Sequence, residues 1–202
     1  MTRIKMCGIR RPEDIAAVNE IRPDYIGFVF FRGSRRCIDP ETAKALKDAL
    51  SPGIKAVGVF VNEEPERVAE LLRNGTIDAA QLHGQEDEAY IARLRALTDR
   101  PLIQAFRITS PESLEAAAVS SADHLLLDAG AGDGRTFDWA WLSGASRPFF
   151  LAGGLTPENV GEAVERIRPF AVDVSSGIEE NGVKSIEKMR AFAGAVRKKD
   201  HA

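Results

Sequence analysis

Two glycine-containing turns in the last third of the chain have the residue types of a phosphate-binding site. Both follow an apolar run: Gly153-Gly154 comes after residues 149–152, and Ser175-Ser176-Gly177 comes after residues 172–174. Glycine admits a positive φ and lets a ligand approach backbone N–H groups closely. Either turn alone could be an ordinary strand-to-helix connection. Two of them, about one helical crossover apart, favour a shared phosphate site after neighbouring strands.

A predicted helix start strengthens the first turn. Thr156 is a candidate N-cap and Pro157 suits the first helical position. The free amides and the helix dipole would then face the same anion.

Cys7 is a candidate general base. It ends the first apolar run, and strand alternation puts Lys5 on the same side. If that side is the barrel interior, the Lys5 ammonium lies one layer below the thiol and favours the thiolate. The alternative is that Cys7 is a small buried apolar residue, and composition alone favours that alternative.

Asp128 is a candidate general acid. It closes the apolar run 125–127, which would not otherwise contain a carboxylate, and residues 129–134 after it form a flexible loop suited to closing over a ligand. A strand-end aspartate could equally cap a helix or hold a loop. An acid and a base on the first and sixth strands could address opposite sides of one substrate.

Arg36 and His83 are the other polar candidates. Arg36, in the loop after the second strand, could pair with a carboxylate through two hydrogen bonds, or belong to a solvated surface cluster. We interpret His83 as a hydrogen-bonding residue at a strand end. The three histidines are scattered along the chain, so the sequence predicts no metal site.

The elements that must position these residues alternate regularly. Apolar runs centre near eight positions: Ile4, Phe28, Val59, Leu82, Ile103, Leu126, Phe150 and Val172. Helix-like segments lie between or after them, at 13–21, 41–50, 64–72, 86–97, 112–119, 158–167 and 186–198, with only a short turn over 138–142. This pattern predicts an α/β fold, a single compact (βα)₈ TIM barrel over residues 1–202, with a doubly wound open sheet as the alternative.

Composition narrows the class of protein. A hydrophobic content of 44% and a charged content of 28% are typical of soluble globular domains. The net charge of −3 argues against a nucleic-acid surface, and no run reaches transmembrane length. Two cysteines, Cys7 and Cys37, make no disulfide framework, so we expect a cytoplasmic protein.

The motifs together resemble those of the phosphoribosylanthranilate isomerase family, over essentially the whole chain. The matching stretches are KMCGI (5–9), GFVF (27–30), SRR (34–36), VGVFVN (57–62), QLHG (81–84), LLLD (125–128), RTFDW (135–139), LAGGLTPENV (151–160) and VDVSSGIE (172–179). Most are weak individually, but their order and spacing are specific. The related sugar isomerases of histidine biosynthesis use an aspartate at the position of Cys7.

The resemblance implies a reaction and residue roles. The family carries out an Amadori rearrangement of N-(5′-phosphoribosyl)anthranilate in tryptophan biosynthesis, without a cofactor. Carried over by position, Cys7 would be the base and Asp128 the acid. Arg36 would hold the anthranilate carboxylate. The phosphate would lie against four residues: Gly153, Gly154, Ser176 and Gly177. The partner is then a small phosphorylated substrate, and the protein would be a monomer or a homodimer.

Two departures from the family pattern keep alternatives open. The loop after Asp128 is shorter than usual and introduces Asp133, whose charge is unfavourable beside an anionic substrate. Cys37 stands where an aromatic residue is common. The alternatives are a related barrel isomerase for another phosphorylated aminosugar, and a non-catalytic phosphate-binding barrel.

Overall fold

The chain forms a closed barrel of eight parallel strands, as the sequence predicts, and the open sheet is excluded. The computed structural model describes residues 1–110, 112–128 and 139–200. Within them the strands are hydrogen-bonded in chain order around the barrel, from β1 to β8 and back to β1. They are β1 (Arg3–Cys7), β2 (Tyr25–Val29), β3 (Lys55–Phe60), β4 (Ala79–Leu82), β5 (Leu102–Arg107), β6 (His124–Asp128), β7 (Phe149–Ala152) and β8 (Ala171–Val174).

The helices fall close to the predicted segments. They are α1 (Pro12–Ile21), α2 (Pro40–Asp48), α3 (Pro65–Arg73), α4 (Glu88–Arg95), α5 (Ser113–Ala118), α6 (Val160–Ile167) and α7 (Ile186–Asp200). A 3-10 helix, Trp139–Gly144, replaces the sixth crossover helix. This is the short turn that the sequence predicts there, although Asp138 lies outside the described residues. No helix in the described part of the chain is both long and apolar enough to cross a bilayer.

Local sequence fixes where several helices begin. Three of them, α1, α2 and α3, start at a proline, whose missing N–H is not needed in the first turn. Asp39 caps α2 by accepting a hydrogen bond from the Thr42 N–H at 2.9 Å. Asp87 caps α4 in the same way from Tyr90, at 2.8 Å.

The apolar core has two main parts and a small third one near the site. The larger part fills the space between barrel and helices, and a second fills the lower barrel interior around Leu126 and Phe150. Above it, at the carboxyl ends of the first three strands, Cys7, Val29 and Val59 form a small buried cluster. The candidate base therefore stands directly on packed side chains.

A short antiparallel hairpin follows the barrel and precedes α7. Its strands are β9 (Glu179–Glu180) and β10 (Val183–Lys184), after a 3-10 turn over Ser176–Ile178. The hairpin brings two charged side chains, Glu179 and Lys184, to the edge of the barrel mouth, where both are buried.

Candidate active site

A cleft of about 570 Å³ opens at the carboxyl ends of the strands, and we call it the mouth cleft. Its wall includes most of the residues that the sequence predicts for the site: Cys7, Arg36, Asp128, Gly153, Gly154 and Ser176. A larger groove of about 940 Å³ lies outside the barrel between α2 and α3, lined by surface charges of both signs. The mouth cleft joins a nucleophilic side chain, that of Cys7, to the predicted anion site.

Cys7 ends β1 and is 8% exposed. Its sulfur is seated against Gly27 of β2, where a Cβ would lie 2.5 Å from Sγ. A side chain at position 27 would push the thiol out of place, so the glycine in the GFVF stretch makes room for it.

Lys5 lies below Cys7 in the barrel interior, as predicted, and it is fully buried. Its Nζ donates a hydrogen bond to Oδ2 of Asp173 at 2.9 Å, across the β1–β8 pairing. Burial acts to lower the pKa of Lys5, but Asp173 and Cys7 more than offset it and the pKa is raised. The ammonium form is therefore held inside the barrel.

Lys5 favours the thiolate of Cys7, as predicted, but it does not determine the direction in which the pKa of Cys7 shifts. Burial is the largest influence and raises the pKa of the Cys7 thiol; Lys5 lowers it, Asp173 raises it, and the net shift is upward. The physical reason is burial, which disfavours the thiolate more than Lys5 favours it, and Asp173 adds to the effect of burial. In the ligand-free protein the thiol form is favoured relative to an exposed cysteine.

Asp128 ends β6 and faces His83, which follows β4. Nε2 of His83 lies 3.5 Å from Oδ2 of Asp128. Nε2 of Gln81 lies 2.7 Å from Nδ1 of the same ring. Because an amide nitrogen can only donate, Nδ1 accepts and the neutral ring carries its proton on Nε2, toward Asp128. His83 is thus a hydrogen-bonding residue, as interpreted from the sequence, and it orients toward the candidate acid.

The two glycine turns follow the neighbouring strands β7 and β8 and meet at the mouth cleft. Gly153 and Gly154 have φ values of 96° and 65°, which other residues adopt only with strain. Gly177 does not line the cleft. A Cβ there would lie 2.0 Å from the Leu155 carbonyl oxygen, so Gly177 instead lets the second turn pack directly onto the first.

The regular helix begins later than predicted at Thr156 and Pro157, although Thr156 still accepts from the Glu158 N–H at 3.3 Å and from the Val160 N–H at 3.0 Å. Helix α6 begins at Val160 with Asn159 as its N-cap. Oδ1 of Asn159 accepts a hydrogen bond from the Thr156 N–H at 2.8 Å, and its Nδ2 donates to the Gly154 carbonyl at 3.0 Å. These bonds close a separate turn before the helix, so the helix amides stand three residues further from the glycines than predicted.

Arg36 lies over the glycine after Cys7 and pairs with a carboxylate of this chain. A Cβ at Gly8, whose φ is 82°, would lie 2.5 Å from Cδ of Arg36. Nε and Nη2 of Arg36 donate to Oε1 and Oε2 of Glu179 at 2.6 and 2.9 Å. Burial acts to raise the pKa of Glu179, but hydrogen bonds from Arg36 and Lys184 hold it at about 2, so the carboxylate is charged at neutral pH.

The family model for N-(5′-phosphoribosyl)anthranilate (PRA) isomerase matches residues 4–195 of this chain. The chain belongs to this family. The corresponding enzyme of Endomicrobium trichonymphae is 44% identical over 194 residues, covering 94% of this chain and 95% of the relative.

Solved structures of PRA isomerases share the fold. That of the enzyme from Thermotoga maritima has a TM-score of 0.91 and 36% identity, covering 98% of this chain and all of the other. A second structure, of a PRA isomerase in complex with reduced 1-(o-carboxyphenylamino)-1-deoxyribulose 5-phosphate, has a TM-score of 0.87 at 36% identity, with 98% and 100% coverage. Both structures are matched over their full length at 36% identity, in agreement with the family that the model shows.

Sequence reasoning missed three residues of this PRA isomerase-family site. Asp173 and Glu179 stand in the VDVSSGIE stretch, and their partners, Lys5 and Arg36, are distant in the chain. Lys184 follows that stretch and bonds Glu179 only because the hairpin brings the two together. A charged residue inside an apolar strand is a signal that could have found Asp173. Asp133, the loop 129–134 and residues 135–138 of RTFDW lie outside the described residues, as do residues 201–202 of the tail.

Among the described residues, no group of three His, Cys, Asp or Glu side chains could hold a metal ion.

Proposed function

We propose that the mouth cleft performs the family's isomerisation with Cys7 as general base and Asp128 as general acid. The observation that carries the proposal is their common cleft: a buried thiol and a strand-end carboxylate open onto the space that the two glycine turns border. An acid and a base on one phosphorylated substrate are what this rearrangement needs.

The proton transfers balance within the substrate and these two residues. Asp128, protonated, gives its proton to the furanose ring oxygen, the C1′–O bond breaks, and the nitrogen lone pair forms an iminium. Cys7 as thiolate takes the proton from C2′, and the electrons of that C–H bond form the enolamine. Cys7 returns a proton to C1′ while the C2′ hydroxyl gives its proton to Asp128, and the C2′ ketone of the aminodeoxyribulose phosphate forms. Both residues are then back in their starting states, with no net oxidation.

Lys5 and Asp173 set the charge around the base in this proposal. The reactive thiolate lies beside a buried ammonium, which lowers the pKa of Cys7 against the effect of burial. Removing a proton from C2′ transfers it to sulfur, and the remaining Lys5–Asp173 pair is neutral as a unit. The barrel interior therefore gains no uncompensated charge during this step.

Two buried acceptors fit the hydroxyl groups of a sugar. Oε1 of Gln81 and Oδ1 of Asp173 have no hydrogen-bond partner within the described residues, and both side chains line the mouth cleft. A buried acceptor without a donor is unfavourable by about 1–3 kcal/mol. Ribose hydroxyls would supply the missing donors, which favours a polyhydroxylated substrate in this cleft.

The cleft offers separate groups to the substrate's two anionic ends. We propose that Gly153, Gly154 and Ser176 hold the phosphate through backbone N–H groups, with Gly177 keeping the turns together. Arg36 holds the anthranilate carboxylate through the guanidinium edge that Glu179 leaves free. We also propose a cytoplasmic location, a single domain over residues 1–202 and a monomer or homodimer, which size-exclusion chromatography would distinguish.

The proposal is tested by following N-(5′-phosphoribosyl)anthranilate turnover by carbon NMR, since substrate and product have equal mass. We expect the wild type to replace the anomeric carbon signal with a ketone signal. Asp128→Asn should lower kcat by at least ~10²-fold with a much smaller change in KM. Asp48→Asn, an exposed aspartate on α2, is the control and should match the wild type. Near-normal kcat for Asp128→Asn would overturn the assignment of the acid.

A further inference from the structure

The β9–β10 hairpin carries a carboxylate that stands behind Arg36. The Glu179 side chain is 5% exposed and does not line the mouth cleft, whereas Arg36 does. Besides Arg36, it accepts hydrogen bonds from Lys184 at 2.8 Å and from Arg35 at 2.9 Å. One carboxylate thus faces three cations, and the rim keeps a net positive charge that favours an anionic ligand.

Arg36 is held on two sides, so its guanidinium has one orientation. Its stem is seated in the space left by Gly8, and Glu179 takes the Nε proton and one Nη2 proton. A guanidinium has five N–H donors in a planar fork. The three that remain, on Nη1 and Nη2, form a second edge that can bind a carboxylate through two parallel hydrogen bonds.

The hairpin also connects this arginine to the other parts of the site. Nζ of Lys184 donates to the Ser175 carbonyl at 2.8 Å, next to the second glycine turn. Oγ of Ser175 donates to the Cys7 carbonyl at 3.1 Å. The backbone of the candidate base, the glycine turn and the carboxylate clamp on Arg36 therefore form one connected network.

We propose that Glu179 is a positioning residue that orients Arg36, so that the free guanidinium edge meets the carboxylate of the substrate's aromatic ring. The inference rests on the proposed function, because it assumes that Arg36 binds this carboxylate. Glu179 itself touches no substrate.

The direction in which KM changes when Glu179 is neutralised distinguishes a loss of Arg36 positioning from a change in the net charge of the rim. Removing the negative charge of Glu179 makes the rim more positive, which by itself would strengthen binding of an anion and lower KM. Loss of orientation does the opposite, since a mobile Arg36 must be ordered at each binding event. A rise in KM on neutralising Glu179 therefore reports lost positioning.

The experiment compares Glu179→Gln with two substrates, N-(5′-phosphoribosyl)anthranilate and the analogue made from aniline, which lacks the carboxylate. We expect Glu179→Gln to raise KM for the first about tenfold or more, and to change kcat/KM for the analogue less than about twofold. Glu180→Gln is the matched control, since Glu180 is the exposed neighbour on the same strand, and it should match the wild type with both substrates.

Further variants keep the outcome decisive. Glu179→Asp retains the charge but cannot reach both nitrogens of Arg36. It should therefore also raise KM for the substrate with the carboxylate and leave the analogue nearly unaffected. If Glu179→Gln does not fold, the result for Glu179→Asp tests the inference. In an Arg36→Met background, Glu179→Gln should have no further effect on KM. Equal losses with both substrates, or an unchanged KM, would overturn the inference. A wild type that converts neither substrate would instead contradict the proposed function.

Discussion

The two ends of the barrel use aromatic and charged residues in opposite ways. At the amino ends of the strands, Tyr25 and Phe150 pack edge to face with ring centroids 5.4 Å apart, and His124 stacks on Phe170 at 5.2 Å. The Arg3 guanidinium carbon lies 4.2 Å from the Phe170 ring centre and closes this layer. At the carboxyl ends, by contrast, buried charges face an open cleft.

The two ends differ in whether their buried polar groups have hydrogen-bond partners within the protein. The two buried side-chain atoms without a hydrogen-bond partner in the described residues, on Gln81 and Asp173, both lie at the mouth. The bottom layer satisfies its groups internally and contributes stability, whereas the mouth holds unmet polar groups ready for a ligand. Substitutions at the mouth should therefore change turnover or substrate binding, whereas substitutions in the bottom layer should lower the free energy of unfolding.

The largest effect is expected at the mouth, for Cys7→Ser. A hydroxyl is a far weaker base than a thiolate, and loss of a general base lowers kcat by about 10²–10⁴-fold. The thermal midpoint should change little, because serine is close to cysteine in size and Gly27 still leaves room for it. Cys37→Ser is the control and should keep normal turnover. A large loss there would mean that the wrong cysteine has been assigned.

Phe150→Ala should lower stability and leave catalysis nearly unchanged, which is the reverse of the effect expected for Cys7→Ser. Phe150 is fully buried in the bottom layer, and its truncation should lower the free energy of unfolding by about 3–5 kcal/mol. A denaturant titration measures this directly. Below the unfolding transition, kcat and KM should stay within about twofold of the wild type. A catalytic loss as large as that of Cys7→Ser would remove the contrast between the two ends.

Arg36→Met should affect binding more than chemistry. Without the guanidinium the substrate carboxylate loses its counter-charge, so KM should rise by about tenfold or more, with a smaller fall in kcat if the ring tilts. Wild type should discriminate strongly against the aniline analogue, and Arg36→Met hardly at all. Equal discrimination by both proteins would indicate that Arg35 or Arg107, and not Arg36, contacts the substrate carboxylate.

The smallest effect concerns the ionisation of Cys7. Burial raises the pKa of this thiol, so its thiolate should form at higher pH than that of an exposed cysteine. In Cys37→Ser protein, the rate of alkylation by iodoacetamide should keep rising with pH beyond the range of an ordinary thiol. An alkylation rate that levels off at a lower pH than for an ordinary thiol would show that Lys5 lowers the pKa of Cys7 more than burial raises it. Inorganic phosphate, if it occupies the same cleft, should slow the alkylation.

The sequence predicts local features of this molecule better than it predicts pairings across the barrel. The eight apolar runs each fall within a strand, because period and length determine an element within a few residues. The partnership of Lys5 with Asp173 joins residues 168 positions apart and depends on the closure of the barrel between β1 and β8. No local pattern carries that information.

The start of α6 illustrates the same limit at short range. Thr156-Pro157 is a good helix start by residue type, yet the regular helix begins at Val160, and the Asn159 side chain bonds back to Thr156 and Gly154. The sequence could name the residues that line the cleft, but not the bonds that orient them.

The assignment of base and acid is tested most directly by a deuterium isotope effect, with substrate labelled at C2′. If Cys7 takes the C2′ proton, Cys7→Ser slows that step selectively, and its isotope effect on kcat should rise toward the full primary value. Asp128→Asn slows ring opening instead, so its isotope effect should fall toward one. A larger isotope effect in Asp128→Asn than in Cys7→Ser would contradict the account, because the carboxylate and not the thiol would then be removing the proton.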